Sequence, residues 1–169
     1  MSGPARRAVR TFMFTDIVRS TNLIEAIGDE AWGQLLAWHD ETIRGLLREQ
    51  GGQEVHHAGD GFFVAFPSAD AAIVCALAIR RRFGDHRQRH GFAPSVRIGL
   101  HIAEALETST GYEGRGVHIA ARIAALGDAN EILVSRDVLD ATDTPPEHGD
   151  LRQERLRGIA APVEVAALA

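Results

Sequence analysis

Residues 53–66 read Gln-Glu-Val-His-His-Ala-Gly-Asp-Gly-Phe-Phe-Val-Ala-Phe. Two short β-forming runs, Gln53–His57 and Phe62–Phe66, flank Ala58-Gly59-Asp60-Gly61, a composition that makes a tight hairpin because glycine and aspartate tolerate the dihedrals of a short turn. What lies on either side of this hairpin decides the topology. Upstream, Ala8–Thr15 (AVRTFMFT) is β-branched and aromatic and predicts a buried strand that stops at Asp16. Between strand and hairpin, Ile17–Gln50 sets Leu23, Ile24, Ile27, Trp32, Leu35, Leu36, Trp38, Ile43, Leu46 and Leu47 at helical spacing. A break is expected near Gly28 and an end at Gly51-Gly52. Downstream, Pro67-Ser68 opens a helix over Ala69–Phe83, His86–Pro94 reads as a polar loop, and Ser95–Ala105 alternates as a strand. The order is β-α-β-β-α-β, an α+β fold with the ferredoxin-like, palm-type sheet and its helices on one face.

The last third continues this unit as a C-terminal αβ extension. Gly116–Leu126 is a helix with small residues on one face, Glu131–Ser135 is a strand, and two short extended pieces flank the turn Arg157-Gly158. With 169 residues, 45% of them hydrophobic and 24% charged, the chain is expected to be a single domain over residues 1–169, with 1–8 as a flexible basic tail. No run of apolar residues is long enough to cross a membrane, and the N-terminus lacks the apolar segment of a signal peptide, so a cytoplasmic protein without a membrane partner is expected. The single cysteine, Cys75, sits in an apolar run and reads as a buried structural thiol. A net charge of −5 argues against a nucleic-acid partner, and Arg80-Arg81-Arg82 reads as a solvated helix end. The aromatics Phe62, Phe63 and Phe66 could suggest an RNA-binding sheet, but core packing accounts for them better.

Asp16 follows the first strand and Asp60 lies in the hairpin, so the fold brings two carboxylates to one sheet edge. With a backbone carbonyl such as that of Ile17, they offer hard oxygen ligands suited to two divalent ions, Mg²⁺ or Mn²⁺. Val18-Arg19-Ser20-Thr21 then begins a helix, whose open N–H groups and positive dipole end favour phosphate. Alone, either aspartate would read as a cap or a turn residue. Together around Gly-Asp-Gly they favour metal binding.

These residues carry a resemblance. Phe14-Thr15-Asp16-Ile17-Val18-Arg19-Ser20-Thr21, Gly59-Asp60-Gly61-Phe62, Arg97-Ile98-Gly99-Leu100-His101, Gly114-Arg115-Gly116-Val117-His118-Ile119-Ala120-Ala121-Arg122-Ile123 and Leu156-Arg157-Gly158 resemble, in order, the motifs of class III nucleotidyl cyclase catalytic domains. The resemblance implies conversion of a nucleoside triphosphate to its 3′,5′-cyclic nucleotide and pyrophosphate, with Asp16 and Asp60 holding two metal ions and Arg122 reaching the α-phosphate. A planar, permanently charged guanidinium suits that contact. It also implies a homodimer with two shared sites, each taking its metal residues from one chain and its arginine from the other.

The chain departs from the family in its base-selecting residues. ATP-specific members usually carry a lysine where His56 stands and an aspartate where Gly111 stands. Tyr112, the only tyrosine, could stack on a base or fill part of the pocket, and loop packing explains it equally well. His56 and His57 are adjacent on a strand, so at most one faces the site. His118 replaces the asparagine that usually orients the ribose, and Arg157 replaces a lysine on the terminal phosphates. ATP is the family default, while GTP, UTP and CTP stay open. The alternative is a catalytically weak or silent cyclase-like regulatory domain, which the retained Asp16, Asp60 and Arg122 disfavour.

Overall fold

The structure, a computed structural model, describes residues 5–169. Strand β1 (Arg6–Ile17) pairs antiparallel with β3 (Gly61–Phe66) on one side and with β4 (Val96–Thr108) along its whole length on the other. Strand β2 (Gln53–Ala58) adds outside β3 through the Gly59-Asp60 turn. The order β2-β3-β1-β4 is that of the expected split βαβ sheet. The sheet continues through β6 (Ile132–Ser135) and β8 (Val163–Ala167) to β7 (Arg152–Glu154), and β5 (Gly111–Glu113) folds back on β4.

Strand alternation assigns the two faces. Met13 and Ile17 enter the larger apolar cluster, with Ile43, Leu46 and Leu47 of α2 (Asp29–Glu49) and Ile73, Ala76 and Ile79 of α3 (Ala69–His90). Phe12 looks the other way, into a cluster with Ala65, Tyr112 and Ala120. Helix α1 (Ser20–Ile27) is separated from α2 at Gly28, whose φ of +87° suits glycine, so the expected break is present. The extension supplies α4 (Arg115–Leu126), which covers the opposite face directly over β4, and the short α5 (Arg136–Asp140). Two glycines permit the α4 approach. A Cβ on Gly99 would lie 2.3 Å from the Ala124 nitrogen, and one on Gly116 would lie 2.2 Å from Ala103 Cβ.

Several elements differ from the sequence reading. Of the expected 1–8 tail, Arg6–Ala8 belong to β1, paired with Glu107–Ala105 and tied by ion pairs of Arg6 to Glu107 and Arg7 to Glu104; residues 1–4 lie outside the described residues. The strand runs to Ile17 and so contains Asp16. Helix α3 continues to His90 through the stretch expected as a loop, where His86 stacks on Trp38 of α2 at 4.0 Å between ring centroids, and ends at Gly91, whose φ of +77° suits glycine. Arg80-Arg81-Arg82 therefore lie mid-helix, and Arg80 donates to the carbonyls of Leu168 and Ala169. Cys75 is fully buried, and burial pushes its thiol pKa up to about 12, as an inert core residue requires.

Candidate active site

The carboxylates come together through strand register. Thr15 pairs with Phe62, and the Phe62 N–H donates to Thr15 Oγ1 at 3.3 Å, so the residue after Thr15 and the turn before Phe62 share one edge. A Cβ on Gly61 would stand 3.0 Å from the Thr15 carbonyl oxygen and 4.0 Å from Asp16 Cβ, which leaves little room there for any other residue. Asp16 is gripped by Arg97 of β4, with Nε to Oδ1 at 2.6 Å and Nη2 to Oδ2 at 3.0 Å, while Nη1 donates to the Ala125 carbonyl at 3.0 Å. Hydrogen bonding to Asp16 raises the guanidinium pKa further, so Arg97 is a fixed cation. Nothing local to Arg97 in the sequence assigns it this role. The pairing of Asp16 with Arg97 across β1 and β4 is the missing signal.

Among the described residues no group of three or more His, Cys, Asp or Glu side chains converges. A pair of carboxylates nevertheless fits Mg²⁺ or Mn²⁺, since such ions are commonly held by one or two carboxylates with substrate phosphates and water completing the shell. The phosphate-binding stretch is narrower than expected. The Val18 N–H donates to the Ser95 carbonyl at 2.8 Å and is removed from the set. Arg19 adopts a left-handed conformation at φ 56°, and α1 begins after it with no side-chain cap and no acidic residue in its first turn. The first-turn amides of Ser20 and Thr21 are left open to an anion.

A second, cationic group of residues lies on α4 and the β7–β8 connection. Ile119 and Ile123 are buried against Leu133, Leu156 and Val165, which turns the preceding positions His118 and Arg122 outward, one helical turn apart. These two, with Gly114, Arg115, Arg157, Gly158 and Ile159, line a cavity of about 550 Å³. Asp16 and Asp60 are not among its lining residues. The structure thus gathers Asp16 with Asp60, and His118 with Arg122 and Arg157, as two separate groups.

The base-selecting candidates divide. Tyr112 is 7% exposed, edge-on to Phe12 at 5.4 Å, accepting a hydrogen bond from Arg10 Nε and donating to Gln53 Oε1, both at 3.3 Å. It is a packing residue, not an open stacking platform. His56 is exposed at a bulge in β2, whereas His57 turns toward α2, where Arg44 Nη2 lies 3.3 Å from its Nδ1. Gly111 has φ +148°, and a Cβ there would lie 2.7 Å from Val55 Cγ1. Val55, which the sequence did not single out, fills the place of a side chain at position 111.

A split βαβ sheet with a carboxylate pair beside a helix start and an arginine cavity on the covering helix defines a palm-type domain equipped for nucleotide chemistry. Residues 5–158 match the family described as Adenylate and Guanylate cyclase catalytic domain, and the chain belongs to that family. An adenylate cyclase of Podospora anserina is 31% identical over 86% of the chain, and one of Mycosarcoma maydis is 30% identical over 75%. The chain corresponds to only 8% and 6% of the length of those relatives. The adenylyl cyclase CyaB of P. aeruginosa superposes with a TM-score of 0.90 at 24% identity, covering 99% of this chain and 96% of that one. The guanylyl cyclase Cya2 gives 0.90 at 20%, covering 99% and 94%. Among the described residues no helix is long and apolar enough to cross a membrane.

Proposed function

We propose that this domain cyclises a nucleoside triphosphate by attack of the ribose 3′-hydroxyl on the α-phosphate, as a homodimer with two shared sites. The observation that carries this reading is the division of the chemistry into two groups, Asp16 with Asp60, and Arg122 with His118 and Arg157 in a cavity whose lining includes neither aspartate. Two copies facing each other would join them. Two divalent ions held by Asp16, Asp60 and the Ile17 carbonyl would acidify the 3′-hydroxyl and neutralise phosphate charge. The amides of Ser20 and Thr21 hold phosphate oxygens at the positive end of α1. Arg122 of the facing chain balances charge growing on the α-phosphate, Arg157 takes the departing pyrophosphate, and His118 hydrogen-bonds the ribose ring oxygen.

ATP is the substrate we propose, on the strength of the relatives at 30–31% identity, both named adenylate cyclases. A pyrimidine triphosphate is the second reading, favoured by Val55, whose Cγ1 fills the side-chain space at position 111 with an apolar group. GTP is the third, since Gly111 presents no carboxylate to repel a guanine carbonyl. Incubation of the purified domain with Mn²⁺ or Mg²⁺ and each of the four ribonucleotides should yield cyclic AMP and pyrophosphate. Cyclic UMP or CMP as the main product would favour the pyrimidine reading. No product from any nucleotide at high protein concentration would make this a silent nucleotide-binding domain.

A further inference from the structure

On the flank of α4 that carries Gly116 and Ile119 lies a second cavity, of about 570 Å³, within the usual range of small-molecule sites. His101 of β4, 5% exposed, forms part of its lining. Its Nδ1 is joined to Ser135 Oγ at 2.7 Å, and its Nε2 has no hydrogen-bond partner among the described residues. Burial lowers the imidazole pKa, and an anion in the cavity would select the tautomer in which the Ser135 hydroxyl donates to Nδ1 and the ring proton sits on Nε2. The Cδ2 edge beside that nitrogen faces the start of α4, 3.9 Å from where a Cβ on Gly116 would be. That helix start has no side-chain cap, and while the Val117 N–H donates to the Gly114 carbonyl at 3.2 Å, the amides of Arg115 and Gly116 are open.

The charges around the cavity are unequal in availability. Arg136 is engaged by Glu164 at 3.3 Å and Asp140 at 3.6 Å. Arg115 makes no ion pair among the described residues, and neither does Asp137. A free guanidinium, open helix-start amides and a buried imidazole able to present Nε2–H together suit an anion, and the carboxylate of Asp137 opposes a second negative charge on it.

We propose that this cavity binds a small organic monocarboxylate, its carboxylate held by His101 Nε2, Arg115 and the first amides of α4, and its apolar body lying on Ile119, Pro162 and Val163. The site is distinct from the arginine cavity of the proposed nucleotide site: His101 and Ser135 do not line that one, and Arg115 stands between the two. It also has its own test.

Benzoate is the probe, titrated into the whole chain while the imidazole resonances of His101 are followed by NMR, with benzyl alcohol and sulfate as comparators. Benzoate should give a saturable shift, benzyl alcohol none, and sulfate a far weaker one. Arg115→Gln, an exposed change, should weaken benzoate about tenfold, as loss of a charged hydrogen bond does. His101→Gln should abolish binding; should that variant not fold, Ser135→Ala, which releases the tautomer, should weaken it severalfold. Arg122→Gln should leave binding unchanged. The proposal is overturned by no shift up to the solubility limit, by equal shifts with benzyl alcohol or sulfate, by unaltered binding in Arg115→Gln, or by loss in Arg122→Gln, which would place benzoate in the nucleotide cavity. Because none of these readings uses turnover, a domain without cyclase activity would leave the result interpretable.

Discussion

The carboxylate group and the cationic group are built by different means. Asp16 and Asp60 sit on paired strands, their separation set by the Thr15 and Phe62 register, by the room that Gly61 leaves and by a two-toothed grip from Arg97. His118, Arg122 and Arg157 are exposed, carried on a helix surface and a turn, and their positions rest on how α4 lies upon β4. Sheet register holds one group rigidly within the chain. The other group is presented outward, in the manner of residues that complete a site on a second molecule.

The largest effects come from removing either group's charge. Asp16→Asn, Asp60→Asn and Arg122→Ala should each lower kcat by about a thousandfold or more, the scale on which a charge-balancing arginine acts in phosphoryl transfer. Direct Mn²⁺ binding, read by electron paramagnetic resonance, should separate them: weakened in both aspartate variants and retained in Arg122→Ala. Equal Mn²⁺ binding in all three would erase the difference between the groups.

Next in size is a change aimed at the seat of α4. Gly99→Ala drives a methyl group against the Ala124 backbone, and overpacking of this kind costs about 1–3 kcal/mol. At this chain length that corresponds to roughly 2–12 °C in Tm. Turnover should fall far more than Mn²⁺ binding, because the displaced helix carries the cationic group and reaches the carboxylate side only through the Ala125 carbonyl that accepts from Arg97. Loss of metal binding in that variant would show that the two groups are not independent.

The smallest effect is that of pH on stability. His39 and His101 both have pKa values lowered chiefly by burial, one behind the carboxylate strands and one under α4. The unfolded chain therefore takes up protons near the ordinary histidine value of about 6.5 while the folded chain resists. Folding stability should accordingly fall as pH drops below about 6.5, and the urea midpoint should move down. His101→Gln should flatten that slope. An unchanged slope in His101→Gln would mean that this ring titrates normally in the fold.

The sequence was most readable where periodicity and turn chemistry agree. The Gly59-Asp60 hairpin, the helix break at Gly28 and the strand order follow from local rules, and with them the meeting of Asp16 and Asp60. What tertiary contact decides was hidden: α3 persists past Phe83, where His86 stacks on Trp38, and Tyr112 is drawn into the Phe12 cluster. Arg97 reaches Asp16 only through a register that spans 81 residues. Val18 reads as part of a phosphate cradle from its place before α1, but its N–H is spent on Ser95, a partner that only the folded chain supplies. Val55 gave no signal, for its effect on position 111 arises from β2 lying beside β5.

The division into two groups is tested most directly by mixing inactive variants. Asp16→Asn and Arg122→Ala, each silent alone, should regain activity when combined, because a mixed dimer assembles one intact site from the unaltered carboxylates of one chain and the unaltered arginine of the other. At equal amounts about half of the dimers are mixed, each with one working site, so recovery should approach roughly a quarter of the unmodified domain's activity. No recovery at any mixing ratio, with both variants folded and dimeric, would contradict the shared site.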